Sequence, residues 1–187
     1  MANEVLLKAG TQLSFADHAG DFSPAAGNSL EQGTPTDVQL SLASIADAAS
    51  RQSAKVDLGA TRARTYEVIA AIEFAATPTA GELVHFYWAP SPDATAANGN
   101  PGGCSGSDAA YAGYSSNMAD SLRQLMHVGV MEVTVQVTTT VQIARCGRFQ
   151  SPTRYGSLVV RNESGASFHS DDVESHVIIE PIIDEVQ

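Results

Sequence analysis

Apolar and polar residues alternate over a long stretch in the second half of the chain, residues 128–149. Apolar side chains at every second position are typical of a β-strand with one face on a core and the other facing water or a neighbour. The apolar members are Val133, Val135, Val137, Val141 and Ile143, and the polar members are Thr134, Gln136, Thr138, Thr140 and Gln142. The stretch is far longer than an ordinary strand. It is therefore expected to bend at a bulge, to cross between two sheets, or to pair with another subunit.

Shorter alternating or β-branched stretches predict the remaining strands. They lie at residues 38–42, 55–58, 65–74, 82–88, 155–161 and 173–183. Thr-Pro-Thr-Ala-Gly at 77–81 has turn chemistry, so the strands on either side of it are predicted to form a hairpin. Asn162-Glu163-Ser164-Gly165 predicts another turn, since Asn and Gly accept positive φ. With about seven to nine strands, the predicted fold is all-β, an antiparallel β-sandwich that is jelly-roll-like or of a related Greek-key type.

Three segments fall outside this pattern. Residues 89–116 are rich in Gly, Pro, Ser, Asn and Ala and predict a long loop of small residues. Residues 118–126 predict one short helix, which Asn117 can cap. Residues 1–35 have weak periodicity and are predicted to be an extended N-terminal arm or a partly ordered segment. The β-sandwich domain is accordingly placed at residues 36–187.

The charge of the chain is acidic and concentrated at both ends. The net charge is −11, and residues 171–187 carry six acidic side chains and no basic one. Such a chain repels phosphate backbones and anionic lipids, so neither a nucleic acid nor a membrane is expected as a partner. Charged residues make up only 17%, and Ala, Ser and Thr take their place. A surface of this kind suits a protein that covers much of itself with neighbours.

The N-terminal sequence predicts neither a signal peptide nor a membrane anchor. It has no basic region followed by a long apolar stretch. Nowhere does an apolar run approach the roughly 18 residues that a membrane helix needs. The chain is therefore expected to be made and kept in the cytosol, or released by lysis.

Phe-His-Ser-Asp-Asp at 168–172 is the best candidate for a chemical site. His169 with Asp171 or Asp172 offers one nitrogen and carboxylate oxygens, which could ligate a divalent metal. The further donors that such a site needs would be Asp17, His18, Asp21 and His176. In the alternative interpretation the segment is a polar turn leading into the last strand. We favour the turn, because nothing in the sequence brings the donors together, and no metal or other cofactor is predicted.

Other signals of catalysis are weak. His85 lacks the second histidine, one residue away, that a cupin metal site needs, so it is interpreted as a strand residue with a satisfied hydrogen bond. Cys104 lies in Gly-Gly-Cys-Ser-Gly, but a nucleophile loop also needs a base and an oxyanion hole. There is no Gly-x-Ser-x-Gly elbow, Walker loop or G-x-G-x-x-G. We therefore predict that the chain is not an enzyme. Cys104 and Cys146 could form one disulfide, but no disulfide framework is implied.

Aromatic residues offer a separate possibility, a sugar-binding face of the kind found in carbohydrate-binding modules. The residues concerned are Phe86, Tyr87, Trp88, Tyr111 and Tyr114. Packing of these rings in the core and in the long loop is the alternative, and it is the interpretation that we favour.

The order of several motifs is similar to that of a known family. HFYWAPSPD (85–93) is followed by the small-residue loop, SLRQLMHVG (121–129), the long Thr/Gln/Val strand, RYGSLVVRNESGASF (154–168) and VIIEPIIDEVQ (177–187). Over about the C-terminal 120 residues, this order resembles small virion proteins of tailed bacteriophages. The likeness is to β-sandwich decoration or cement proteins in particular, and to related head or neck proteins. That family has no catalytic residues to carry over.

The resemblance implies a non-enzymatic virion structural protein that binds and stabilises the head shell. Its location would be the capsid surface after synthesis in the host bacterial cytoplasm, and its partners would be the major capsid protein and copies of itself. Symmetric sites on a shell favour a homotrimer. The candidate subunit-interface residues are Thr134, Gln136, Thr138, Thr140 and Gln142. The alternatives are a phage neck or tail component, a carbohydrate-binding adsorption module, and a small metalloenzyme using His169 and Asp171.

Overall fold

The computed structural model describes residues 5–136 and 138–186, which form two β-sheets packed face to face. One short helix, α1 (Met118–Leu122), and two 3-10 turns, Pro101–Gly103 and Tyr114–Ser116, accompany the strands. The strands, in chain order, are β1 (Val5–Ala9), β2 (Leu13–Ala16), β3 (Thr36–Gln39), β4 (Ser50–Gln52), β5 (Val56–Asp57), β6 (Thr65–Ile72), β7 (Leu83–Ser91), β8 (Ala109–Ala110), β9 (Met126–Glu132), β10 (Gln142–Phe149), β11 (Tyr155–Glu163) and β12 (His176–Val186). The predicted all-β sandwich is therefore confirmed.

Each sheet contains six strands. The first has the order β10-β6-β12-β2-β3, and β1 also pairs with β12. The second has the order β8-β4-β11-β7-β9, and β5 also pairs with β11. All pairings in the described residues are antiparallel except β2 with β3, which is parallel. The predicted strand count is too low, because β4 and β8 are too short to show a period and because β1 and β2 lie in the segment predicted as an arm. A jelly-roll order stays a prediction.

The core lies between the two sheets and is built by the alternation of β6 and β7. One parity of each strand points inward, and these residues are Tyr66, Val68, Ala70 and Ile72 in β6 and Val84, Phe86 and Trp88 in β7. Complete burial of a large apolar side chain contributes about 1.5–3 kcal/mol. Burial of these alternating apolar side chains is thus the main source of the free energy of folding in this region.

Strands β6 and β7 do not form the predicted hairpin. β6 lies between β10 and β12 in the first sheet, whereas β7 lies between β9 and β11 in the second. The turn residues reverse the chain as expected. However, turn chemistry does not decide whether the two strands hydrogen-bond side by side or face each other across a core. The hairpin prediction is wrong because both strands bury an apolar parity against the same core from opposite sheets.

The long alternating stretch crosses between the two sheets, which is one of the three expected solutions. β9 is an edge strand of the second sheet and β10 an edge strand of the first. The alternating apolar residues do not all face the core, since Val133 is buried while Val135 is 64% and Ile143 47% exposed. The expectation of one core-facing parity is wrong here because the chain leaves both sheets after β9. Val137 lies outside the described residues.

Two glycines allow β9 and β10 to pass close together at this crossing. A Cβ atom on Gly147 would lie 2.4 Å from the carbonyl oxygen of Val128. A Cβ atom on Gly129 would lie 2.6 Å from the carbonyl oxygen of Cys146. These contacts are to backbone atoms, which cannot rotate away, so the close approach requires glycine at both positions.

Two strands lie in the segment predicted as an N-terminal arm. β1 pairs with residues 182–186 of β12, and β2 pairs with residues 177–179 of the same strand. Residues 5–16 therefore belong to the first sheet, and residues 17–35 connect β2 to the edge strand β3. Residues 1–4 of the predicted arm lie outside the described residues.

The first part of the small-residue loop after β7, residues 91–98, is gathered around one ammonium group. The Nζ atom of Lys55 lies 2.7–3.1 Å from Ser91 Oγ and from the carbonyl oxygens of Asp93, Thr95 and Asn98, and these four acceptors share its three N–H groups. Four acceptors around one charged donor fix a segment that has little apolar surface of its own.

Helix α1 is shorter than predicted, because it ends at Leu122 rather than at residue 126. The predicted cap is confirmed, since the side chain of Asn117 accepts from the backbone N–H of Asp120. Leu122 packs with Tyr111 and Val159 in a small second core on the outer face of the second sheet.

Candidate functional site

The segment 168–172 lies in the connection between β11 and β12, as the favoured interpretation predicts. Phe168 is buried and forms an isolated bridge with Phe74, and the two rings meet edge to face with centroids 5.4 Å apart. The last strand begins at His176 rather than at residue 173. This segment thus closes the core before the chain enters β12.

The structure does not bring His169 and Asp171 together as metal ligands. The backbone N–H of Asp171 donates to His169 Nδ1 at 3.2 Å, and the Asp171 carboxylate accepts from the backbone N–H of Val173 at 3.0 Å. Asp172 points the other way and is buried. Its Oδ2 atom accepts three hydrogen bonds, from Ser41 Oγ at 3.0 Å and from the backbone N–H groups of Leu42 at 2.8 Å and Ala43 at 3.1 Å.

Two of the predicted further donors do approach Asp172. One carboxylate oxygen each of Asp17, Asp21 and Asp172 lie within 4.8 Å of one another. Desolvation, a hydrogen bond to Asp172 and the nearby negative charges raise the pKa of Asp21. The cluster contains no histidine, so it differs from the nitrogen-and-oxygen site considered from the sequence.

The other two predicted donors have different environments. His18 lies in a separate group of side chains, beside the edge strand β3. His176 is buried, with Nε2 accepting from the backbone N–H of Leu30 at 3.0 Å and Nδ1 at 2.8 Å from the carbonyl oxygen of Glu174. Burial lowers the pKa of His176, which favours its neutral ring. Because both ring nitrogens are occupied, His176 anchors backbone and offers no ligand atom.

His85 has the satisfied hydrogen bonds expected for a strand residue. It lies on the outer face of the second sheet, where Nε2 is 3.0 Å from Glu163 Oε2 and Nδ1 is 3.3 Å from His127 Nε2. Glu163 also accepts from Arg161, at 2.6 and 2.8 Å. Tyr87 meets the ring of His127 edge to face, at 5.1 Å. Tyr87, His127, Arg161 and Glu163, but not His85, border an open pocket of about 380 Å³ that Ala119 and Leu122 of α1 also line.

The pairing of His85 with His127 could not be found in the sequence. It depends on the register of β7 with β9, which places His127 opposite Tyr87 and shifts at the neighbouring residue. Desolvation and the charge of His85 lower the pKa of His127. A hydrogen bond between two imidazoles requires the accepting ring to be neutral, so the two rings together carry at most one positive charge while this bond persists.

Both cysteines are free. Burial raises the pKa of Cys104 to about 12 and that of Cys146 to about 12. The thiolate is the nucleophilic form of cysteine, and it is strongly disfavoured at both positions. Cys104 therefore lacks the environment of a catalytic nucleophile.

We expect the native protein to resist alkylation at both thiols. With pKa values near 12, only about one thiol in ten thousand is ionised at pH 8. Incubation with iodoacetamide at pH 8, followed by mass spectrometry, should show no adduct on the native chain and two adducts after unfolding in urea. Rapid single labelling of the native chain would contradict the burial of that cysteine.

The five aromatic residues considered for sugar binding do not form one exposed face. Phe86 and Trp88 are completely buried between the sheets. Tyr111 is also buried, and its hydroxyl donates to the carbonyl oxygen of Gly102 at 2.6 Å. Tyr114 is 53% exposed, and Tyr87 lies beside His127. The packing that we favoured is observed for Phe86 and Trp88 in the core and for Tyr111 in the loop, but not for Tyr114.

The candidate interface residues lie on and beside the connection between β9 and β10. Thr134, Gln136 and Thr138 are exposed and Thr140 is partly buried. Gln142 is buried and closes the base of the connection. Its Oε1 accepts from the backbone N–H of Thr134 at 2.9 Å, and its Nε2 donates to the carbonyl oxygen of Thr134 at 3.0 Å. Four of the five side chains are thus available at the surface, and the fifth braces the segment.

Comparison of the chain with protein-family models, with curated proteins and with solved structures found no match. Within residues 5–136 and 138–186, no helix is both long and apolar enough to cross a membrane.

Proposed function

We propose that this chain is a non-enzymatic structural protein of a tailed bacteriophage particle, and that it decorates and stabilises the head shell. The motif order of its C-terminal part supports this proposal through its resemblance to virion β-sandwich proteins. The two-sheet sandwich is the architecture that this resemblance implies. A decoration protein needs a rigid body and a surface that packs on neighbours, and it needs no catalytic group.

The observation that carries the proposal is the uncharged surface between β9 and β10. Residues 133–144 contain no charged side chain in a chain whose net charge is −11. Val135 and Ile143 are the large aliphatic side chains most exposed in the described residues, and both belong to this stretch. Depletion of charge around exposed apolar groups is typical of the centre of a protein–protein interface. We assign this surface as the contact with the shell or with a second copy of the chain.

The mechanism is burial of surface at repeated junctions of the shell. Each copy gains roughly 25 cal/mol per Å² of apolar area removed from water, and loses part of this gain to the entropy of association. A homotrimer around a symmetric site would multiply the contact without new chemistry. Acidic residues elsewhere on the chain would face basic groups of the capsid.

Two lysines in this surface are expected to prevent assembly without unfolding the chain. In Gln136→Lys/Thr138→Lys, two uncompensated charges would be buried on binding, so we expect attachment to particles to weaken more than about 30-fold. The measurement is co-sedimentation of purified protein with particles that lack it. Thermal unfolding of the variant should be unchanged, because both residues are exposed.

A matched control carries the same added charge in a different place. Ala94 and Ala97 are exposed residues of the loop after β7. The variant Ala94→Lys/Ala97→Lys should bind like the wild type. Equal binding of both double-lysine variants would remove the β9–β10 surface from the proposal.

The location within the virion is tested by the number of copies per particle. Quantitative mass spectrometry against the major coat protein should find on the order of hundreds of copies if the chain decorates the shell. A count of about a dozen would favour the neck or tail alternative. Absence from purified particles would overturn the virion proposal, and glycan-binding assays would then test the adsorption-module alternative.

A further inference from the structure

Three side chains of different types converge beside the edge of the first sheet. His18 follows β2 by two residues, Asp37 lies in β3, and Glu31 lies in the connection between these parallel strands. One ligand atom from each lies within 4.8 Å of the other two. The group contains an imidazole nitrogen and two carboxylates, a donor set that suits divalent first-row transition metals.

The imidazole of His18 is oriented by a backbone carbonyl. Its Nε2 lies 2.9 Å from the carbonyl oxygen of Ser14, which can only accept, so Nε2 is the donor and Nδ1 is the ring nitrogen that remains available to a ligand. Histidines that bind metals usually donate their second ring N–H to a carbonyl or carboxylate in this way. The ring is also fixed by an edge-to-face contact with Phe22, at 5.1 Å between centroids. The nitrogen left free is the one that faces Asp37.

Hydrogen bonds fix the backbone on either side of Glu31 and also its carboxylate. The backbone N–H of Leu30 donates to His176 Nε2 at 3.0 Å, and that of Gln32 donates to Gln12 Oε1 at 2.7 Å. Both acceptor side chains are buried. The Oγ atom of Ser14 donates to Glu31 Oε1 at 2.5 Å. This anchoring reduces the entropy that the segment would lose on binding an ion.

His18 and Asp37 lie within ion-pair distance of each other but are not hydrogen-bonded. His18 Nδ1 lies 3.7 Å from Asp37 Oδ1, longer than a hydrogen bond. Two ligands at about 2.0–2.2 Å from one ion lie about 3–3.5 Å apart, so a small closure around a metal would suffice. The Asp37 side chain is 62% exposed and free to make that movement.

The charge around this group also favours a cation. The three side chains line an open cleft of about 500 Å³ whose lining includes no Lys or Arg. Residues 9–50 contain five acidic side chains and no basic one. The negative potential of the two carboxylates is therefore not neutralised by a neighbouring side chain of this segment.

From these observations we propose that His18 Nδ1 and the carboxylates of Glu31 and Asp37 bind one divalent transition-metal ion, with water completing its coordination. The ion would join the connection after β2 to the edge strand β3 and so stabilise the border of the first sheet. The Asp17–Asp21–Asp172 cluster has oxygen donors only and is the competing site for Ca²⁺ or Mg²⁺. The proposal does not depend on the virion function.

Zn²⁺ is the probe for the test. The full chain, stripped with a chelator that is then removed, is titrated with Zn²⁺ by calorimetry, and bound metal is counted after gel filtration. We expect one tight Zn²⁺ per chain and a raised Tm in its presence. Asp37→Asn removes one ligand from an exposed side chain and should weaken binding at least 10-fold while leaving the Tm of the metal-free protein unchanged. His18→Ala should give the same loss of affinity.

Two control variants separate this site from the other candidates. His127→Ala removes the pairing of His85 with His127, and Asp21→Asn disrupts the carboxylate cluster. Both should bind Zn²⁺ like the wild type. Undiminished binding in Asp37→Asn and His18→Ala, loss of binding in either control, or no binding by the wild type would each overturn the proposal.

Discussion

Replacing Trp88 by alanine should lower the free energy of unfolding by about 3–5 kcal/mol, the usual cost of emptying a large aromatic site in a core. Trp88 is completely buried in β7, and its ring lies 5.4 Å from that of Phe149. Its Nε1 donates to Ser151 Oγ at 3.1 Å. On the neighbouring strand, a Cβ atom at Gly156 would lie 2.3 Å from the indole, so the backbone there is already in contact with the ring. The site has no simple way to collapse.

Urea unfolding followed by far-ultraviolet circular dichroism measures this loss, because Trp88 is the only tryptophan and its fluorescence disappears with it. Trp88→Phe keeps an aromatic ring and should cost less than the alanine variant. Tyr114→Ala is the matched control, since it removes an aromatic side chain that is 53% exposed. A loss below about 1 kcal/mol for Trp88→Ala would be inconsistent with a fully packed core position.

The second large effect is expected at Asn162, where a change of one atom from nitrogen to oxygen should cost about 3 kcal/mol or more at pH 7. The amide is completely buried. Its Nδ2 donates to the carbonyl oxygens of Ile45 at 2.9 Å and Ala166 at 2.7 Å. Its Oδ1 accepts from Ser164, through the backbone N–H at 3.1 Å and the hydroxyl at 2.6 Å. In Asn162→Asp, a carboxylate oxygen would face two carbonyl oxygens.

The direction in which the free energy of unfolding of Asn162→Asp changes with pH shows whether the buried carboxylate causes the loss of stability. Burial against carbonyl oxygens should raise the pKa of the introduced carboxyl in the folded state, so the folded variant binds a proton more readily than the unfolded chain. The loss in free energy of unfolding relative to wild type should therefore become smaller as the pH falls through the pKa of this carboxyl in the folded state. Urea unfolding of the wild type and of Asn162→Asp at several pH values from 7 to 4 measures this difference. Gln150→Glu, the same change of amide to carboxylate at an exposed position, should be nearly neutral. A small, pH-independent loss in Asn162→Asp would contradict the assigned hydrogen bonds.

Much of the fold was predictable because alternation reports burial locally. The strands β6 and β7, the core packing of Phe86 and Trp88, and the turn at Asn162 were predicted correctly from neighbouring residues alone. The partners of a strand are a different kind of information, since they depend on residues far away in the chain. This is why the hairpin between β6 and β7 was wrongly predicted, and why the alternation of Val135 and Ile143 did not indicate burial.

The candidate sites show the same limit. Asp17 and Asp21 were named as possible further donors to a site with Asp172, and their carboxylates do approach it, although nothing in the sequence indicated this contact. Glu31 and Asp37 were missed as partners of His18, because no pattern of neighbouring residues indicates that two strands such as β2 and β3 pair in parallel. His127 was missed because the register that sets it beside His85 is decided by hydrogen bonding between two strands.

The position of β12 has a consequence for the order in which the chain can fold. This strand pairs with β6, β2 and β1, so the first sheet is held together by residues that are made long after most of its other strands. Until residues 176–186 have been synthesised, β1 and β2 lack their antiparallel partner. Pairing between residues nearly a whole chain apart closes a very large loop, which makes folding slow relative to proteins of local topology. The first sheet therefore cannot be completed before β12 has been made, and its incomplete edge is exposed to aggregation until then.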